Sequence, residues 1–228
     1  RMIALDRETG AVRWETPVID WRQGYSITGA PLVVKDMVLT GVAGGEFGIR
    51  GFVKALDART GVARWTAYTI PGPGEPGHET WPGETWRHGG GPTWTTGVFD
   101  PALGLVYWNT GNAAPWNCGV RKGDNKWTAS TIAIDADSGR IRWGYQYTPH
   151  DCWDYDAVST PVLADVVLGA DNYDQEVRFN GESATFMGIW VLPTANTLEV
   201  ISEVRETMPL IQAQLPAGMT AGIPYDST

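Results

Sequence analysis

The chain has 228 residues, 43% hydrophobic and 19% charged, with 28 Gly, 15 Pro and 12 Trp and a formal net charge of −9 at pH 7. That composition excludes a disordered chain, and the scarcity of clustered Lys and Arg excludes a nucleic-acid or other polyanionic partner. No run approaches the roughly 20 apolar residues of a spanning helix.

The N-terminal letters RMIALDRETG have no apolar signal core and start inside a repeat. The chain is therefore expected to be part of a longer protein whose targeting segment lies outside it. The repeat is ALDRETGAVRW at Ala4 to Trp14, ALDARTGVARW at Ala55 to Trp65 and AIDADSGRIRW at Ala133 to Trp143. In each copy Asp precedes Gly by four residues and Trp by eight. This reads as a β-hairpin: a strand ending at Asp, a tight turn in which Gly10, Gly61 or Gly139 takes positive φ, and a return strand carrying the Trp. The first two Trp are 51 residues apart and the next two 78, which predicts one blade-sized unit per repeat with an insertion in the second interval.

Further strand pairs fall between the repeats. APLVV and MVLTG flank a turn at Lys35 and Asp36, and TTGVF and LVYWN flank a turn over Asp100 to Gly104. No long helical pattern intervenes, so the predicted class is all-β, a partial β-propeller of three to four blades with the repeated Trp as packing anchors between blades. The insertion, Pro71 to Gly91, is a loop whose Trp81 and Trp86 need a surface to pack on. Its GPGEPG string matches a dinucleotide fingerprint in letters only, because internal prolines and the lack of a following helix remove the required context.

Three loops carry hard oxygen donors: AGGEFGIRG with Glu46, NTGNAAPWN with Asn112 and HDCWDYD with Asp154, separated by 66 and 42 residues. Equivalent loops of a propeller converge on one axial face, and carboxylate and amide oxygens are what a hard cation prefers. Singly, each has a plainer reading as a turn or solvated loop residue. The histidines His78, His88 and His150 have no paired ligand spacing and read as structural donors. Cys118 and Cys152 are too few for a disulfide scaffold and lack zinc spacing; they either pair across neighbouring loops or stand free, which leaves the compartment open.

From about Met2 to Ala164 these strings resemble the quinoprotein alcohol dehydrogenases of the methanol and ethanol type, which hold pyrroloquinoline quinone over a cation in an eight-bladed propeller. The resemblance implies Glu46, Asn112 and Asp154 as cation ligands, with Asp154 also the catalytic base. It implies Trp94, in GGGPTW, as the indole floor under the quinone, and Thr28, Ala43, Gly44 and Gly45 as its polar and backbone contacts. Asp156 stands where lanthanide-using members carry a second Asp and calcium members a small residue. The resemblance thus implies a lanthanide ion, with Ca2+ as the alternative. It further implies oxidation of a small primary alcohol to the aldehyde, electrons passed to a cytochrome c, a periplasmic location and no membrane span in this chain. GEPGHETWPGETWRHGGGPTWTTG looks more like the ethanol-type branch. The alternative function is a non-catalytic Trp-repeat propeller that binds or assembles other proteins.

The domain expectation is propeller blades carrying the site over residues 1–164, and a divergent propeller continuation with a C-terminal tail over 165–228. In the latter the family's basic quinone-contacting residue has no convincing counterpart, Arg178 lying in a different context. Three to four blades do not close an eight-bladed ring, so the chain alone is expected to hold half a cofactor pocket.

Overall fold

Each repeat folds as the expected hairpin around its Asp. In the computed structural model, which describes residues 1–164, 177–179, 182–184 and 197–214, Asp57 accepts from the Thr60 amide at 2.9 Å, the Thr60 hydroxyl at 2.9 Å and the Arg59 amide at 3.0 Å, and pairs with Arg64. Asp6 does the same with Thr9 and Arg13, and Asp135 with Ser138 and Arg142. The Arg64 and Thr60 bonds hold the Asp57 carboxyl well below the usual carboxylate range. The turn glycines Gly10, Gly61 and Gly139 all have φ between 72° and 73°.

The first repeat gives β1 (Met2–Leu5) and β2 (Val12–Thr16), a two-stranded antiparallel sheet. A four-stranded antiparallel sheet follows, β3 (Leu32–Val34), β4 (Met37–Thr40), β5 (Phe52–Asp57) and β6 (Ala63–Tyr68), in sequential order. A second has the same order: β7 (Val98–Asp100), β8 (Leu105–Thr110), β9 (Ser130–Asp135) and β10 (Ile141–Gln146). Among the described residues these are two complete blades and the repeat-bearing pair of another. The two blades pack face to face: Val34, Leu39, Val53 and Ala55 meet Val106, Trp108, Ile132 and Ile134 in one core, all at most 1% exposed. A second cluster of Val18, Val42, Ile49 and Phe52 receives Met2 from β1.

Two of the three repeated Trp, Trp14 and Trp65, anchor neighbouring repeats to one another. Trp14 Nε1 donates to Ala58 O at 3.0 Å and its ring lies on Gly61; Trp65 Nε1 donates to Ala136 O at 3.0 Å and its ring lies on Gly139. A methyl group on Gly61 would meet the Trp14 ring at 2.5 Å, at a backbone φ that side chains rarely adopt. Gly61→Ala is therefore expected to cost about 2 kcal/mol or more, read as a lower thermal midpoint. Gly10→Ala, where a methyl meets nothing within 4 Å, should cost less.

The insertion is a loop with two 3-10 turns, His78–Thr80 and Thr85–His88. Trp81 and Trp86 bury against Ile70 and Ala113, which ties the insertion to the loop after β8. The chain divides into two compact units, Arg1–Asp165 and Val166–Thr228. In the second unit lie a short hairpin of β11 (Val177–Phe179) and β12 (Glu182–Ala184) and an 18-residue helix, α1 (Thr197–Gln214). In the stretch expected to be a divergent propeller continuation and tail, α1 is helical. Among its described side chains, Val204 and Met208, four residues apart, are half-buried. The expected tail from residue 215 onward lies outside the described residues.

Candidate metal and cofactor site

The hairpin topology brings the candidate residues to one end of the blades. A chain segment entering β3 and one leaving β4 meet at the same end of an antiparallel pair, and likewise for β7 and β8. Thr28 precedes β3, Ala43 to Glu46 follow β4, Trp94 precedes β7 and Asn112 follows β8. The segment between the insertion and β7 stitches the two blades together at that end. The Gly91 amide donates to Asn112 O at 2.8 Å, the Gly111 amide to Pro92 O at 2.7 Å, and the Thr93 amide to Val42 O at 2.7 Å. Close approach is required here: a methyl on Gly45 would lie 2.9 Å from Pro92, and one on Gly111 3.0 Å from both Pro92 and Asp156. Asp154 and Asp156 arrive on the strand-free segment after β10.

Thr28, Ala43, Gly44, Gly45, Glu46, Trp94, Asn112, Asp154 and Asp156 all line one cavity of about 450 Å³, so every site residue singled out from the sequence is brought together. Glu46 sits in a short 3-10 turn, Gly45–Phe47, set by left-handed Gly44 and Gly48. Asn112 is buried; its Nδ2 donates to Asp154 and its Oδ1 accepts from the Asp156 amide at 2.9 Å. Trp94 Nε1 reaches Asp156 Oδ1 at 3.5 Å, and the Thr28 hydroxyl donates to Trp94 O at 3.0 Å. Ala43 exchanges both backbone bonds with Ser26, at 2.9 and 3.1 Å. Asp156 has φ of 44°, a left-handed conformation that Asp tolerates better than most residues. Burial, then the charges of Asp154 and Glu46, push its carboxyl up from the usual range, against the opposing bond from Trp94.

The donor set suits a hard cation. Three carboxylates and an amide face one cavity, and no Lys or Arg is among the described residues lining it. The cavity volume, the Trp94 indole and the glycine-rich wall also suit a flat polycyclic acid. Pro92 and Trp116 line the cavity as well. They went unmarked in the sequence, although Trp116 belongs to the NTGNAAPWN string. Each histidine donates from Nδ1 to a backbone carbonyl: His78 to Pro71 O at 3.1 Å, His88 to Gly48 O at 2.9 Å and His150 to Gly123 O at 2.7 Å. The open question of the cysteines is resolved, since Cys118 and Cys152 form a disulfide.

The family model described as "Glucose/ethanol/alcohol dehydrogenase, beta-propeller domain", of the PQQ type, matches residues 8–178. The chain belongs to the PQQ-dependent alcohol dehydrogenase propeller family. Within this family it is 47% identical over 188 residues to the lanthanide-dependent methanol dehydrogenase of Methylacidiphilum fumariolicum, covering 74% of this chain and 31% of that protein. It is 40% identical over 183 residues to methanol dehydrogenase (cytochrome c) subunit 1 of Paracoccus denitrificans, covering 72% of this chain and 29% of that one. Among solved structures, a europium-containing methanol dehydrogenase superposes with TM-score 0.65 and 43% identity over 79% of this chain and 33% of its own. The quinohemoprotein alcohol dehydrogenase of Comamonas testosteroni gives 0.67 and 40%, over 72% and 27%. The chain thus spans about a third of the length of the curated relatives it matches. A second model, the AcrB/AcrD/AcrF family, matches residues 157–228.

Proposed function

We propose that this chain supplies the cation-binding and quinone-floor side of a PQQ- and lanthanide-dependent alcohol dehydrogenase. The observation that carries the reading is the convergence of Glu46, Asn112, Asp154 and Asp156 with Trp94 around one cavity. Glu46, Asn112, Asp154 and Asp156 would hold the cation, and Trp94 with Thr28, Ala43, Gly44 and Gly45 would seat the quinone. When bound, the quinone supplies a two-electron acceptor and the cation Lewis acidity. Asp154 takes the hydroxyl proton of a small primary alcohol at a carboxylate oxygen, and Asn112 Nδ2 holds that carboxylate in place. Asp156 favours a trivalent ion over Ca2+, because a further carboxylate is offset by further cation charge. The lanthanide named for the M. fumariolicum relative and the europium in the solved structure support the same choice.

The cytochrome c named for the P. denitrificans relative supports cytochrome c as the electron acceptor. The Cys118–Cys152 disulfide supports an oxidising compartment such as the periplasm. The cation reading is tested on the chain itself by titration with Tb3+, using emission sensitised by Trp94 and Trp116. Saturable emission that Asp156→Ala and Glu46→Gln each weaken by at least about tenfold, the loss of about 1.4 kcal/mol of binding, is expected. Unchanged affinity in both variants would reject the ligand set.

A further inference from the structure

Two of the three loops that carry the candidate ligands, those of Asn112 and of Asp154 with Asp156, lie outside the strands, and the second is tied to β8 only beyond the ligands, where Asn109 Nδ2 donates to Ser159 O at 2.9 Å. Residues 111–129 run between β8 and β9, and residues 147–164 continue past β10 without regular structure. Asp154 is exposed, and the direct ties of Asp154 and Asp156 to the first loop, both to the Asn112 amide, are polar. Glu46, Asp154 and Asp156 also repel one another across the cavity. Some other contact has to set the carboxylate loop against Asn112.

Two ties bracket it. The Cys118–Cys152 disulfide joins the loops across 34 residues, with the Cα atoms 5.2 Å apart. Cys118 lies six residues after Asn112 and Cys152 two before Asp154. Beside it Arg121, only 1% exposed, donates from Nε to Pro115 O at 2.7 Å, from Nη1 to Asn125 Oδ1 at 2.8 Å and from Nη2 to Asp151 O. The guanidinium therefore grips both loops at the bases of the same two turns. His150, one step earlier, is fixed to the first loop through its amide, which donates to Asp124 O at 3.0 Å.

We propose that Cys118 and Cys152 are positioning residues, and that their disulfide sets the Asp154–Asp156 loop and makes cation binding depend on thiol redox state. The inference rests on the cation reading above. Reduction by a dithiol breaks the S–S bond, gives two thiols and converts the reductant to its own disulfide, two electrons and two protons passing to the protein. Both cysteines are half-buried, so a small reductant has access. The reduced loop keeps Arg121 and the polar bonds to Asn112 but loses its covalent tie, two residues before Asp154. The carboxylates then move apart, and the cation must re-order the loop as it binds.

The test compares the full chain oxidised, and reduced then alkylated and desalted, by amide hydrogen exchange and by Tb3+ titration. Reduction is expected to speed exchange in residues 150–158 while β5 and β9 stay protected, and to weaken Tb3+ affinity at least tenfold. The Cys118→Ser/Cys152→Ser double variant should behave as the reduced chain and ignore reductant; if it fails to fold, the reduced wild-type chain carries the test. A lower melting temperature with unchanged local exchange and Tb3+ affinity, once two alkylated thiols are verified, would overturn the proposal. Absence of Tb3+ binding in the oxidised chain would instead refute the cation reading, and exchange at residues 150–158 would still decide whether the disulfide sets the loop.

Discussion

Asn in place of Asp154 is expected to remove turnover in the whole protein that contains this chain, by at least about a hundredfold, the lower end of what a positioned general base contributes. The substitution keeps the shape of the side chain. The amide oxygen still accepts from Asn112 Nδ2, so the cavity wall stays in place. On the proposed reading, what is lost is the ability to take a proton from the alcohol hydroxyl. The change also removes one of three carboxylate charges lining the cavity, so Tb3+ affinity should fall alongside. Reconstitution with the quinone and a light lanthanide, followed with an artificial electron acceptor, gives the rate. Near wild-type turnover would reject Asp154 as the base. Normal turnover in Asp154→Asn with weakened Tb3+ binding would leave it a ligand only.

The largest effect on stability is expected at Trp65. Its indole covers Gly139, donates to Ala136 O and packs at the edge of the core shared by the two complete blades. Trp65→Ala removes that ring and leaves the Ala136 carbonyl without its donor, a change of about 3 kcal/mol or more. Trp143 is the equivalent residue of the third repeat but is 47% exposed, its ring 5.8 Å from Tyr107. Trp143→Ala should therefore cost well under half as much. Denaturant melts of the two variants decide it, and equal losses would show that the Trp on Gly contact is not what joins the blades.

The hairpins and blades were legible because their determinants are local. Asp, Thr or Ser, Gly and Arg at fixed offsets make the same turn in every repeat, and Trp14 and Trp65, each eight residues past its Asp, land on the next repeat's Gly. Trp81 and Trp86 were legible as packing residues for a similar reason, since large rings in a loop must bury somewhere. The helix α1 was not legible: residues 165–228 read only as a divergent continuation and tail, and the half-buried pair Val204 and Met208 among its described side chains is too short a pattern to mark a helix. Arg121 carried no signal at all. An Arg in a polar loop is ordinarily solvated, and only the approach of the Pro115, Asn125 and Asp151 acceptors makes it a buried clamp.

The sequence by itself determined the repeat and the strand-turn chemistry, which are written in short-range spacing, and its long matched strings pointed to the family and to the oxygen-bearing residues as one candidate set. Only the tertiary structure decided that Thr28, Ala43 to Glu46, Trp94, Asn112, Asp154 and Asp156 share one cavity. It also decided that Cys118 pairs with Cys152. Both depend on where strand-free loops run after leaving the blades, and a loop's path is set by distant partners such as Arg121 rather than by the loop's own letters.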